Sequence, residues 1–168
     1  MGYSVYPAPA AGSKTRYCLT LTSGTSWTVP AGVTYVNVTL YGAGGGGQPA
    51  NPANYGTAAS AGGNTTFTGA TSANGGPGAN LANTNQSFTG STGALAQGGM
   101  GGTAPYSNAG ILIGKNGGSG DVVTSIVSTT PGASISYAIG AGGSGGAAPS
   151  GGNGGAGGNG KIDIEYWL

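Results

Sequence analysis

Apolar and polar side chains alternate in four short stretches of this 168-residue chain. Tyr17 to Thr22 (YCLTLT) sets Tyr17, Leu19 and Leu21 on one face, and Val33 to Tyr41 (VTYVNVTLY) sets Val36, Val38 and Leu40 together. Ile135, Tyr137 and Ile139 alternate with Ser134, Ser136 and Ala138, and the closing KIDIEYWL opposes Ile162, Ile164 and Tyr166 to Lys161, Asp163 and Glu165. Period two among β-branched and aromatic residues is the mark of half-buried strands. The pattern predicts strands near 16–22, 33–41, 134–139 and 161–167. Pro30-Ala31-Gly32 and Pro131-Gly132 are turns that introduce two of them. The first and last strands are expected to meet, because each has one apolar face and neither can bury it alone. No window carries a helical stripe.

Between these strands the dominant residue is glycine, 40 in all, and the richest runs repeat in threes. Residues 151–160 read GGNGGAGGNG and residues 142–146 read GGSGG. Three residues make one turn of the left-handed polyproline II helix. Two bare columns then face neighbouring chains, while Asn153, Ala156 and Asn159 fall on the third face. Such segments can pack backbone to backbone, with Cα–H···O contacts beside N–H···O bonds. Collagen is excluded, since it needs one Gly per triplet in a continuous Pro-rich register. The expected fold is all-β: a small antiparallel β-sandwich or jelly-roll-like framework with glycine-rich polyproline II segments and long loops. Residues 1–14 read as an N-terminal arm or docking segment, and 15–168 as a single glycine-rich β domain.

Composition narrows the chemistry. Val, Ile, Leu and Phe make up about 14% of the chain, below the roughly 20% that accompanies disorder, but disorder also calls for high net charge. Here the formal charge is only +1 and just 4% of residues are charged. The expectation is an ordered domain with a small core and a neutral face rich in hydroxyls and amides, suited to life within an assembly. Cys18 is the lone cysteine, so no intrachain disulfide forms. No signal peptide is visible at the start, and no 18-residue apolar run suggests membrane insertion.

Catalysis is disfavoured by the side chains present. The chain has no His, hence no imidazole base and none of the usual zinc clusters. Its side-chain carboxylates are Asp121, Asp163 and Glu165. Asp163 and Glu165 share a strand face in the manner of a glycosidase pair, but Lys161 beside them reads as part of a solvated strand. Gly114-Lys115-Asn116 and Gly160-Lys161-Ile162 lack the Ser/Thr of a phosphate loop. Four dispersed basic residues do not make a nucleic-acid track. The reading is a non-enzyme with no cofactor, no metal and no nucleic-acid partner.

The segment SGTSWTVPAGVTYVNVTLYGAGGGG (residues 23–47) resembles the opening of glycine-rich domains in bacteriophage tail-fibre and related virion proteins. Three later stretches resemble the same family in the same order: Gly63-Asn64-Thr65-Thr66-Phe67, then Thr130-Pro131-Gly132 with Ile135 to Gly143, then Gly157-Gly158-Asn159-Gly160 running into KIDIEYW. The likeness covers about residues 15–168. It implies a virion protein on the particle exterior, a tail-fibre or tail-tip component that attaches to the host without catalysis. No upstream shaft or coiled coil accompanies it, which favours a small tip or decorating subunit. The alternative is a capsid decoration or head-fibre protein stabilising the shell. An ice-binding protein, the third reading, would want a regular flat face and disulfide staples. The implied partners are other phage virion proteins, further copies of this chain (trimers being common among phage fibres), and a host surface glycan or protein.

Residues able to touch such a host lie in the less regular stretches Gln48 to Ala61, Thr71 to Ser87 and Thr103 to Ala109. They offer Asn51, Asn54, Tyr55, Asn80, Asn83, Asn85, Gln86, Tyr106 and Asn108. Tyr beside Asn, Ser and Gly is the chemistry of antibody loops, rigid aromatic area next to adaptable hydrogen bonding. The receptor-binding candidates are Asn51, Asn54, Tyr55, Asn83, Asn85, Tyr106 and Asn108. Trp27, beside Pro30 in the signature turn, is expected in the core, whereas Trp167 and Leu168 either cap the domain or dock on a neighbour.

Overall fold

The computed structural model describes residues 12, 14–49, 57–79, 103–106, 110–113, 116–148 and 152–168, with 103–106 and 110–113 described by their backbone. Nine strands are described: β1 (Arg16–Leu21), β2 (Ser26–Thr28), β3 (Tyr35–Tyr41), β4 (Thr66–Phe67), β5 (Thr103–Tyr106), β6 (Gly110–Ile113), β7 (Val122–Ser128), β8 (Ser134–Ala138) and β9 (Lys161–Trp167). No helix occurs among the described residues. Two antiparallel sheets, ordered β1-β9-β3-β7 and β2-β8-β4, form a small sandwich-like framework, and β5-β6 is a separate hairpin.

The alternating stretches fall where their pattern places them. The first and last strands pair, with Tyr17 opposite Tyr166 and Leu19 opposite Ile164. β9 also pairs β3, setting Ile164 beside Val38 and Ile162 beside Leu40. The inward faces of these two strands are buried: Val36, Val38, Leu40, Ile162 and Ile164 are almost wholly removed from solvent. Trp27, Val29, Val33, Phe67, Val127 and Tyr137 complete the core. Trp27 packs against Phe67 and Tyr166, the core role its sequence context predicts.

β1 behaves differently from its pattern. Tyr17 and Leu19 point inward yet remain 43% and 37% exposed. β1 is an edge strand, and Trp27 of the second sheet packs at a tilt against Tyr166 on the neighbouring β9, 6.1 Å between ring centres. Tyr17 lies on Tyr166 with the rings 5.3 Å apart and nearly parallel. At the other edge, β7 escapes the sequence reading because Val122-Val123 and Ile126-Val127 are apolar doublets that blur the alternation. Both turns form as expected. Gly32 and Gly132 have φ of 85° and 80°, and the amides of Val33 and Ala133 bond back to Pro30 and Thr130. That is the glycine position of a type II turn.

From the sandwich rise six glycine-rich rods: I (42–47), II (57–63), III (74–79), IV (116–121), V (140–147) and VI (152–160). Rod I is their axis, and its amides show the period of three directly. Gly42 and Gly45 donate to Asp121 and Gly118 of rod IV; Ala43 and Gly46 donate to Gly63 and Ser60 of rod II; Gly44 and Gly47 donate to Gly158 and Gly155 of rod VI, all at 2.8–3.1 Å. Successive amides point 120° apart, as in a threefold polyproline II helix. Rod I in turn accepts from rod III (Gly76 to Ala43, Ala79 to Gly46) and from rod V (Gly143 to Gly44, Gly146 to Gly47). All of residues 42–47 are buried, and no side chain larger than the Ala43 methyl lies among them.

The rods correct two of the loop assignments. Residues 57–61 and 74–79, read above as parts of irregular stretches, belong to rods II and III. Thr57, Ala59 and Ser60 donate to Ala147, Ala79 and Ser144, and Ala79 donates to Gly46. A rod needs bare Cα atoms only on its inward columns, so small residues such as Ser60 and Pro77 are accommodated on the outward column. Composition alone does not reveal that.

Candidate functional site: the far end of the glycine bundle

Rods I, III and V run away from the sandwich and rods II, IV and VI return to it. At the near end Gly42 bonds Asp121, Ala43 bonds Gly63, and Gly160 bonds Gly140. Each of these rods continues into a strand or into the Thr65–Ala73 bridge. At the far end Gly47 bonds Gly155, Thr57 bonds Ala147, and Gly154 bonds Gly146. The connections 50–56, 80–115 and 149–151 therefore all leave and re-enter the bundle at this far end.

Asparagines fix the rod ends. The Asn64 carboxamide oxygen accepts from the Gly75 amide, Asn159 from Gly142 and Asn153 from Ala148, each at 2.9–3.0 Å. Asn74 donates to the Asp121 carboxylate at 3.0 Å. Ser60 and Ser144 place their hydroxyls 3.0 Å apart between rods II and V. The sequence reading missed these roles. Their signal is an Asn adjoining a glycine pair, as in Gly63-Asn64, Asn74-Gly75 and Gly158-Asn159. Where bundle meets sandwich, Thr65 is fully buried. Its hydroxyl donates to the Tyr41 carbonyl at 2.7 Å and accepts from the Gly140 amide at 3.1 Å.

Of the receptor-binding candidates, Asn51, Asn54, Tyr55, Asn83, Asn85 and Asn108 lie outside the described residues. Tyr106 ends β5, with its backbone paired to Gly110. The structure brings together the chain ends from which these candidates depart.

Four charged side chains gather elsewhere, on the outer face of the larger sheet. Arg16 pairs with Glu165, and Lys161 with Asp163 at 2.7 Å. Thr20 donates to the other Asp163 oxygen at 2.6 Å, and the Lys161 ammonium sits 4.4 Å from the Tyr41 ring centre. Burial pushes Asp163 up, but hydrogen bonds from Lys161 and Thr20, with the Lys161 charge and the Tyr41 hydroxyl, outweigh it and hold the carboxyl below its ordinary range. Tyr41 is raised by burial and by the Asp163 charge. Asp163 and Glu165 thus each have their own cation on a half-open sheet face, Lys161 from β9 itself and Arg16 from the neighbouring β1. Among the described residues no three of His, Cys, Asp and Glu converge on a metal-sized site, and no helix is long and apolar enough to cross a membrane.

Comparison with family models, with curated proteins and with solved structures finds no match to this chain.

Proposed function

We propose that this chain is a structural protein of the bacteriophage particle exterior, a tail-fibre or tail-tip component that attaches non-catalytically to a host surface glycan or protein. The observation that carries the reading is the convergence of the 50–56, 80–115 and 149–151 connections at one end of a bundle whose other end is anchored in a sandwich. A rigid platform with variable connections at its tip separates recognition from folding, because loop sequence changes without disturbing the scaffold. Asn51, Asn54, Tyr55, Asn83, Asn85, Tyr106 and Asn108 all belong to those connections. Few charges and many amides suit an uncharged glycan or an exposed protein loop, and binding of this kind depends little on salt.

The test is adsorption. Tyr55→Ala and Tyr106→Ala are expected to weaken attachment to host cells about fivefold or more, since an interfacial Tyr often costs upwards of about 1 kcal/mol on truncation. Unchanged adsorption, with the protein located on the particle, would remove the attachment role.

One observation favours the capsid-decoration reading. The outer face of the larger sheet exposes Ile126 at 76%, with Tyr35 and Val122 on the same face. Such a face suits docking on another virion protein or on a further copy. Particles lacking this protein that adsorb normally but lose genome on heating would assign it to the shell.

A further inference from the structure

Four Asn-Gly pairs stand in the chain: Asn74-Gly75, Asn116-Gly117, Asn153-Gly154 and Asn159-Gly160. Such a pair carries its own reaction. The deprotonated glycine amide nitrogen attacks the asparagine Cγ, unhindered by any Cβ on its own residue. An N–Cγ bond forms, the Cγ–Nδ2 bond breaks, and ammonia leaves behind a succinimide ring. Water then adds at either ring carbonyl, giving Asp or an isoaspartyl link whose main chain runs through the side-chain carbons. The reaction needs a glycine N–H open to base and a carboxamide able to swing onto it. The bundle holds both groups. The Gly160 amide donates to the Gly140 carbonyl at 2.9 Å, while the Asn159 carboxamide oxygen accepts from Gly142 at 2.9 Å. The Gly154 amide donates to Gly146 at 2.9 Å, and Asn153 accepts from Ala148 at 2.9 Å. The Gly75 amide donates to the Asn64 carboxamide at 3.0 Å, and Asn74 donates to the Asp121 carboxylate at 3.0 Å. In each pair, attacking nitrogen and carboxamide are tied to different groups outside their own rod.

We propose that these three pairs are latent modification sites, shut while the bundle is closed and open to succinimide formation when their rods part. Rod VI contains its own comparison. Gly152-Asn153-Gly154 and Gly158-Asn159-Gly160 are the same tripeptide, so their local chemistry in an unfolded chain is the same. In the fold they differ in place. Gly154 is half-buried at the far end, whereas Gly160 is buried where rod VI enters β9. Local opening is cheapest at the ends of structure and approaches global unfolding in the core. Asn153 is therefore reached by fraying, and Asn159 only when the junction with the sandwich opens. The products also differ in effect. Asp at 153 or 159 keeps the oxygen that accepts from Ala148 or Gly142, but an isoaspartyl link lengthens the main chain and breaks the threefold column spacing. At 74 even plain Asp does harm, because it sets a second carboxylate against Asp121, to which Asn74 donates. An isoaspartyl link at 159 thus turns a reversible opening into a permanent one.

Peptide mapping of the full chain is the test. Protein is held in mildly alkaline buffer, either folded or in denaturant, then digested, and the amide-to-acid mass gain is located by fragmentation. Asn153 and Asn159 are expected to convert at closely similar rates in denaturant. In the folded protein Asn159 should be slowed about a hundredfold or more, as befits a site that reacts only through large-scale opening, with Asn153 slowed less. Conversion of Asn159 equally fast in both states overturns the shielding, and Asn153 slower than Asn159 in the folded protein overturns the order of opening. Chains denatured briefly should regain their β-sheet circular dichroism in full, and chains aged in denaturant only in the fraction without isoaspartyl at 159. Full recovery of the aged chains removes the permanent opening. For the third pair, Asn74→Asp should lower the melting temperature and Asn74→Asp with Asp121→Asn should restore it; a single variant as stable as the parent overturns the effect assigned to that product. None of these readouts involves a host, so this inference and the attachment reading fail separately.

Discussion

Gly157 presses its bare Cα against the carbonyl oxygen of Gly44. A Cβ built on Gly157 would fall well inside the van der Waals contact of that oxygen and its carbon. Gly42 stands in the same relation to Asn74, Gly142 to Gly157, and Gly154 to Gly47. The rods approach so closely that their backbones take the place of side-chain packing, and the obstruction in each case is main chain that cannot rotate aside.

The first prediction follows. Gly157→Ala is expected to destabilise the protein by at least about 1–3 kcal/mol, the usual cost of overpacking a close-packed interior, and Gly157→Val to prevent soluble folding. Ala156→Ser, one residue away on an exposed position, is expected to stay within about 0.5 kcal/mol of the parent. Denaturant unfolding of the set checks this, and equal stabilities for Gly157→Ala and Ala156→Ser would contradict backbone-to-backbone packing.

The strands were legible because their alternation is local: Val36, Val38 and Leu40, or Ile162 and Ile164, announce a buried face within a few residues. The period of three was equally visible in 151–160. What the chain does not announce is which rod lies beside which, since one glycine pair is interchangeable with another. That choice is made by long-range bonds such as Gly47 to Gly155. Thr57, Ser60 and Pro77 were misread for the same reason, a rod being defined by its neighbours rather than by its own composition. For the candidate site, loop composition only proposes Tyr55 and Tyr106, and Tyr55 lies outside the described residues. Only the alternating direction of the rods shows that their connections share one end.

Thr65 provides the second prediction. It is the buried polar side chain at the junction of sandwich and bundle, bonded to the Tyr41 carbonyl and the Gly140 amide. Thr65→Val keeps the shape and removes the hydroxyl, leaving both backbone groups without this partner. A loss of about 1–3 kcal/mol is expected. Thr65→Ser, which retains the oxygen, should lose less. If Val proves as stable as Thr, the hydroxyl does not couple the two halves.

The third prediction concerns pH. Asp163 titrates below its ordinary value in the folded chain. The stability it contributes is therefore complete above the unfolded carboxylate range, about 4, and is lost as pH falls through the lower folded value. Tyr41 is raised, so stability tied to its neutral form holds below about 10 and declines as pH climbs through the higher folded value. With no His in the chain, the melting temperature should be nearly flat from about pH 5 to pH 8. Asp163→Asn should flatten the acid limb while lowering the plateau. An acid limb of unchanged slope in that variant would place the titration elsewhere.

The last prediction concerns the outer face of the larger sheet. Ile126 lies opposite Asn37 in the β3–β7 register, with Val122 opposite Tyr41. Ile126 is 76% exposed, Tyr35 47% and Val122 45%, and Trp167 lies 6.3 Å from the Tyr35 ring. Exposed apolar groups scattered singly need no explanation, but Ile126 on the edge strand is a diagonal neighbour of Tyr35 on β3, and apolar area gathered at a sheet edge suits a surface that is covered in an assembly. The core lies on the opposite side of the sheet, so Ile126→Lys is expected to leave the melting temperature within a few degrees of the parent. The same charge set in an assembled interface would face desolvation without a partner. Sedimentation at rising concentration should therefore show the parent self-associating and the variant remaining monomeric, or, where the partner is another virion protein, the variant missing from purified particles. A variant that associates and is incorporated like the parent would show that this face stays open to solvent.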